Sequence, residues 1–313
     1  MRLFPNLVQG IFLRRLNRFA VECELDGEIV QAHLPNPGRL WELLLPGRVV
    51  SLVKHDPAPE RSTAYSVVSV YRDGVPVLLH TQKANMAVRF LLENNKIRGL
   101  EQARIIKQEA AFGNSRFDFL VQHSNTQYVL EVKSCTLFGK HVAMFPDAVT
   151  ERGRKHLLTL AGLAEKGMRC GVIFVVHWPR GRYFLPDYHT DFDFAQTFLT
   201  LKDKLIYRAV SVSWKDDLSL GENSRELEIP WKVLGREAQD GGSYILIMHI
   251  LRDSIISVGS LGQVSFPRGY YIYVGSARTN LTKRIERHLR KRKNFFWHID
   301  YLRDHADRCV PLA

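Results

Sequence analysis

The stretch 117-FDFLVQHSNTQYVLEVKSC-135 decides how the middle of this 313-residue chain is read. Two apolar runs flank a polar turn, the pattern of a β-hairpin. Side chains alternate faces along a strand, so Glu131 and Lys133 point one way while Leu130 and Val132 point the other. The first strand carries its own acid, Asp118. The hairpin therefore lines one face with two carboxylates and a lysine. Working outward, Met86, Val88, Phe90, Leu91 and Leu92 predict a helix ending at Asn94-Asn95, and Ala103–Glu109 predicts a further strand. On the other side, Pro146-Asp147 reads as the opening of a helix whose apolar face is Leu157, Leu158, Ala161, Leu163 and Ala164, and Gly167 stops it. The run 171-GVIFVVHW-178 reads as a strand buried on both faces, followed by a helix near Phe194–Lys204 and a strand near Arg208–Trp214. This alternation predicts an α/β layered domain over residues 83–220.

Residues 1–82 read differently. Strands are expected at Val8–Arg15, Phe19–Leu25, Glu28–His33, Val49–Lys54 and Tyr65–Tyr71, with Asp26-Gly27 as a hairpin turn. Five short strands in so few residues suit a small closed barrel such as the OB-fold. Between the third and fourth strands, 35-PNPGRLWELLLPG-47 predicts a turn and then a short helix on Leu40, Leu43 and Leu44. Residues 221–242, rich in Ser, Glu, Gly and Asp, are expected to be a linker. Beyond it, 244-YILIMHIL-251 and 270-YYIYVGSA-277 are strand-like, and a charged helix runs from Leu281 to about Lys291.

Composition narrows the function. The chain is 45% hydrophobic, 24% charged, and carries a net charge of +12, which favours a polyanionic partner, DNA first. Residues 1–80 hold 9 Lys+Arg against 8 Asp+Glu, whereas residues 240–313 hold 12 against 6, so half of the excess lies in the last quarter. No apolar run is long enough to cross a membrane. Cys23, Cys135, Cys170 and Cys309 show no paired spacing and are expected to be reduced thiols, consistent with a cytoplasmic protein. The acid-free, arginine-bearing start resembles a transit peptide in composition but reads as strands. No glycine loop of the P-loop or dinucleotide type supports a small-molecule enzyme.

Metal-dependent phosphodiester hydrolysis needs hard oxygen ligands for Mg²⁺, a metal-activated water and a cation near the phosphate. Asp118 and Glu131 are the candidate metal ligands, and Lys133 is the group that orients or deprotonates the water. A lone E-x-K on a strand is ordinarily a solvated sheet face. Here Asp118 lies on the hairpin partner, and the following helix offers Arg152, Lys155 and His156 at i, i+3 and i+4 for phosphate contact. Arg14, Arg15 and Arg18 form a further basic cluster, with Phe12, Phe19 and Trp41 as stacking candidates or barrel core.

Asp118 followed by Glu131-Val132-Lys133 matches the PD-(D/E)xK nuclease signature. With 33-HLPNPGRLWELLLPG-47, 115-SRFDFLV-121, 128-YVLEVKSCTL-137 and 145-FPDAVTERGRKHLLTL-160, residues 1–220 resemble the sugar fermentation stimulation protein family (SfsA). The resemblance implies an OB-like domain, a nuclease-like α/β domain and DNA binding, with Asp118, Glu131 and Lys133 at the nuclease core's catalytic positions. It also implies a regulatory effect on sugar (maltose) utilisation genes, the alternative being an endonuclease of nucleic-acid processing or repair.

Residues 243–313 resemble the GIY-YIG nuclease fold through Tyr244, 269-GYYIYVGSA-277, Arg284, His288 and 297-WHIDYL-302. Carried over, Tyr244 and Tyr273 are the active-site tyrosines beside Gly275, and Arg284 contacts the scissile phosphate. No glutamate follows Glu286, so the metal-holding acid of that fold is missing and the domain reads as shortened. Its basic helix, with Lys283, Arg284, Arg287 and Arg290, is expected to bind phosphates in a salt-dependent way.

Overall fold

The computed structural model describes residues 3–56 and 63–312. They form two compact units, Met1–Gly235 and Arg236–Ala313. The first unit begins with β1 (Val8–Arg15), β2 (Ala20–Leu25), β3 (Glu28–His33), β4 (Val49–Lys54), β5 (Tyr65–Arg72) and β6 (Val75–Leu78). Their order is β3-β2-β1-β4-β5-β6, and a parallel pairing of Ala32 with Tyr65 and His33 with Ser66 joins β3 to β5 and closes the barrel. Alternation places Val21, Cys23, Val50, Leu52 and Val67 inside. Phe12 is 2% exposed, so it belongs to the barrel core and is no stacking platform.

The helix expected at Leu40–Leu44 does not form. Leu40 sits at φ 55°, in the left-handed region, and the chain closes a single turn, the Leu44 amide donating to the Leu40 carbonyl at 2.8 Å, without going on as a helix. The loop is instead held from outside. The Arg15 guanidinium donates to the carbonyls of Asn36, Gly38, Arg39, Asn17 and Arg18 at 2.6–3.4 Å. The Leu40 amide donates to Asp147 Oδ2 at 3.3 Å. A Cβ on Gly38 would fall inside the Asp147 carboxylate, so only glycine lets the loop approach this closely.

A helix α1 (Ala84–Glu93) leads into β7 (Arg104–Phe112), β8 (Ser115–His123) and β9 (Thr126–Cys135), then the short β10 (Leu137–Phe138) and β11 (Val142–Phe145). Next come α2 (Glu151–Glu165), β12 (Arg169–Val176), β13 (Tyr183–Pro186), α3 (Phe192–Thr200), β14 (Ile206–Trp214), β15 (Leu220–Glu226) and α4 (Trp231–Glu237). The main sheet has the order β15-β14-β12-β9-β8-β7, with β9, β12 and β14 parallel and the outer strands antiparallel. The expected linker at 221–242 therefore contains an edge strand and a short helix. On one face, Ala87, Val88 and Leu91 of α1 join a core with Leu130, Val132, Ile173 and Val210. The other side carries Leu157 and Leu160 of α2 with a cluster of Phe145, Phe174, Phe184, Phe194 and Phe198. α2 starts later than Pro146-Asp147 because Thr150 is its N-cap, accepting from the Gly153 amide at 3.1 Å. Leu158, expected inward, is exposed.

Barrel and sheet domain are joined by polar contacts. Arg72 donates to the Phe138 carbonyl at 2.6 Å and lies over the rings of Phe138 and Trp178. Among the described residues, no helix is long and apolar enough to cross a membrane.

The second unit contains β16 (Gly242–Ile250), a hairpin of β17 (Ser254–Ser257) and β18 (Gln263–Phe266), β19 (Gly269–Ala277), α5 (Leu281–Leu289), α6 (His298–His305) and β20 (Arg308–Leu312). β16 is the middle of the sheet β19-β16-β20, so the residues expected to be a shortened tail supply its third strand.

Candidate active site

β8 and β9 pair antiparallel from His123↔Thr126 to Phe119↔Leu130, and one further step sets Asp118 opposite Glu131. At that step the Asp118 side chain takes over from the ladder. Its Oδ2 accepts from the Val132 amide at 2.6 Å, and its Oδ1 accepts from Asn85 Nδ2 of α1 at 2.6 Å. Glu131 is 4% exposed and points toward α2. Its Oε1 accepts from Lys133 Nζ at 2.6 Å and contacts His156 Nδ1 at 2.6 Å. Among the described residues no hydrogen bond reaches Glu131 Oε2.

The electrostatics of the two acids diverge. Burial, reinforced by the Glu131 charge, pushes the Asp118 carboxyl up to about 6. Burial would raise Glu131 as well, but the His156 and Lys133 contacts outweigh it and hold Glu131 below its ordinary value. The result is an ionised carboxylate beside a second one whose charge is disfavoured. A cation between them would relieve that repulsion. The donor set is all oxygen, which suits a hard cation that keeps several waters and takes one or two protein carboxylates. Among the described residues, no group of three or more His, Cys, Asp or Glu converges as a metal cage.

Asp118, Glu131 and Lys133 are thus brought together, and His156 joins them. Sequence spacing set His156 beside Arg152 and Lys155, yet it is 8% exposed and meets the edge of Phe117, while Arg152 and Lys155 are exposed. The signal for its burial was present: Leu157, Leu160 and Ala161 lie on the same side of the helix as His156. Asn85 gave no sequence signal, because its partner is 33 residues away. In the barrel, Arg15 is fully engaged by loop carbonyls and is not available to phosphate. Arg14 pairs with Glu22 at 2.6 Å, and Arg18 lies over Phe19 and donates to the Pro37 carbonyl. Phe19 and Trp41 are 47% and 68% exposed.

In the second unit Tyr244, Tyr273 and His288 form one cluster, with ring centroids 5.6–6.2 Å apart. The Tyr244 hydroxyl meets His288 Nε2 at 2.7 Å. A Cβ on Gly275 would strike the Tyr244 ring at 2.5 Å, so glycine is required there. Burial, with Tyr273 beside it, pushes the Tyr244 hydroxyl up to about 12, and burial, with Lys293 nearby, lowers His288 to about 4. Tyr244 and His288 are therefore both uncharged at pH 7. Asp300, the remaining inward acid, is fully buried and enclosed. Arg287 donates to both its oxygens at 3.2 and 3.0 Å, Lys293 contacts it at 2.9 Å, and the Phe296 and Trp297 amides donate at 2.9 and 3.1 Å. Arg287 thus serves an internal ion pair rather than an open phosphate surface. Arg284 donates to the Ser276 carbonyl and lies over Trp297, whereas Lys283 and Arg290 are exposed.

Comparison with known proteins agrees with this architecture. The model of the SfsA N-terminal OB domain matches residues 13–79, that of the sugar fermentation stimulation protein RE domain matches 82–216, and that of a domain of unknown function, DUF123, matches 243–311. The sugar fermentation stimulation protein homolog of Clostridium novyi is 37% identical over 230 residues, covering 73% of this chain and 98% of the relative. That of Clostridium tetani is 38% identical over 196 residues, covering 62% and 85%. A solved structure described as Pyrococcus furiosus SfsA in complex with Ca²⁺ superposes with a TM-score of 0.66 at 29% identity, covering 73% of this chain and 97% of that one.

Proposed function

Because this chain belongs to the sugar fermentation stimulation protein family, we propose that it binds DNA and carries a Mg²⁺-dependent nuclease-type site on Asp118, Glu131 and Lys133. The observation that carries the reading is the juxtaposition itself. The half-buried Asp118 and the buried Glu131 oppose each other across β8 and β9, and of their four oxygens only Glu131 Oε2 accepts no hydrogen bond among the described residues. Mg²⁺ held by Asp118 and Glu131 would supply an activated water and neutralise charge building on the phosphate. The Ca²⁺ named with the Pyrococcus furiosus relative supports a hard-cation preference.

The chain's own groups have separate tasks in this reading. Asn85 fixes the Asp118 carboxylate from α1, and His156 fixes Glu131 from α2. Lys133, largely buried beside Glu131, orients the attacking water and faces the phosphate that is cut. Arg152 and Lys155, exposed on α2, take neighbouring phosphates, and the exposed Lys283 and Arg290 give the second unit phosphate contacts of its own. That unit binds without cutting, since Asp300 is enclosed by Arg287 and Lys293.

The test is a DNA-binding titration by fluorescence anisotropy, with Ca²⁺, with Mg²⁺ and with chelator. Binding that strengthens with either cation in the wild type, and loses that response in Glu131→Ala, agrees with the reading. DNA affinity indifferent to both cations would sink it.

A further inference from the structure

A cleft of about 560 Å³ opens at one end of the barrel, where β3 and β5 meet. Phe19, His33, His55, Ser66, His80 and Thr81 are among its walls. None of the described residues lining it is Asp, Glu, Lys or Arg. Its walls are aromatic and polar at once. The Phe19 ring is half exposed and lies 6.3 Å from the His33 ring, 23° from parallel. Deeper in, His80 Nδ1 is buried with no hydrogen-bond partner among the described residues. The nearby Arg18 guanidinium, over the Phe19 ring at 5.6 Å, sets a cation at the mouth.

The cleft also has a fixed relation to the candidate active site. Thr81 opens the helical turn Thr81–Lys83, which leads into α1, whose Asn85 grips Asp118. A π face, an unmet buried ring nitrogen and a cationic rim, joined through one short stretch of helical chain to a residue of the nuclease-type site, match one chemical class of occupant.

We propose that this cleft receives an unpaired nucleobase of the DNA strand held at Glu131, stacked on Phe19 with its polar edge toward His80. The inference rests on the DNA-binding reading above. It predicts that the protein favours DNA with at least one base free of its partner.

The test compares the full chain with Phe19→Ala and Phe19→Trp. Affinities are measured by anisotropy for one oligonucleotide, single-stranded and as a perfect duplex, and stacking is read from 2-aminopurine fluorescence in the single strand. Phe19→Ala is expected to lose about fivefold or more in single-strand affinity, the lower end for one stacked base, and to lose the 2-aminopurine quenching. Duplex affinity should change by less than about twofold, and Phe19→Trp should keep wild-type behaviour. Equal losses on both DNA forms, or no loss on either, would overturn the base site while leaving DNA binding intact. A wild type that binds neither form would overturn both.

Discussion

Asp300 offers a sharp test of how the second unit works. Replacing it with Asn keeps the volume and removes the charge that Arg287 and Lys293 share. Asp300 has no exposed surface, and Lys293 is nearly buried, so the lysine would be left desolvated without its counter-ion. Breaking one partner of a buried ion pair costs about 3–5 kcal/mol; the partial exposure of Arg287 favours the lower end, about 3 kcal/mol. A unit of this size has roughly 4–12 kcal/mol of stability in all, and each kcal/mol moves its midpoint by about 4–8 °C. The second unit's transition should therefore fall by at least about 12 °C, seen by calorimetry of the whole chain at pH 7 in the presence of chelator. The pH dependence has a definite sign. Burial opposes the Asp300 charge, but hydrogen bonds from Arg287 and Lys293 and from the Phe296 and Trp297 amides hold its carboxyl well below the usual range. Such a group stabilises fully above its unfolded value of about 4 and loses that contribution as pH falls toward its folded value. The wild type should lose stability below pH 4 more steeply than Asp300→Asn. A loss under about 1 kcal/mol at pH 7, or a wild-type transition that depends on a divalent cation, would refute the enclosed-ion account.

Three further outcomes follow from particular contacts. Gly38→Ala drives a methyl into the Asp147 carboxylate and should cost about 1–3 kcal/mol in the first unit, measured by urea unfolding. Asn85→Ala removes the donor on Asp118 Oδ1 and should lower any cleavage rate by about tenfold with DNA affinity unchanged; an equal drop in affinity would assign Asn85 to binding instead. Removing residues 236–313 takes away the exposed Lys283, Arg290, Lys291 and Arg292, and should flatten the slope of log affinity against log salt by up to about 3–4.

Much of the scaffold was legible in the sequence. The ends of β1, β3 and β4 fall where alternation and turn residues set them, and β9 divides its faces as the hairpin reading requires, with Leu130 and Val132 in the α1 core. Elements controlled by distant partners were not legible. The loop at Leu40–Leu44 has helical spacing, but Arg15 and Asp147 hold its backbone in another shape. β15 is an edge strand of sequence LGENSRE, so polar composition disguised it as linker. At the site, Asp118, Glu131 and Lys133 could be read from two strands and one periodicity. The grips of Asn85 and His156 could not, because each comes from a helix packed on a different face of the sheet.

The most direct measurement is cleavage of plasmid and oligonucleotide DNA with Mg²⁺ or Mn²⁺ by the wild type, Glu131→Gln and Lys133→Ala. The account predicts metal-dependent cleavage by the wild type, reduced at least about 100-fold in each variant, with DNA binding retained. Cleavage at wild-type rate in both variants, or a wild type that binds DNA and never cuts it with either metal, would contradict it.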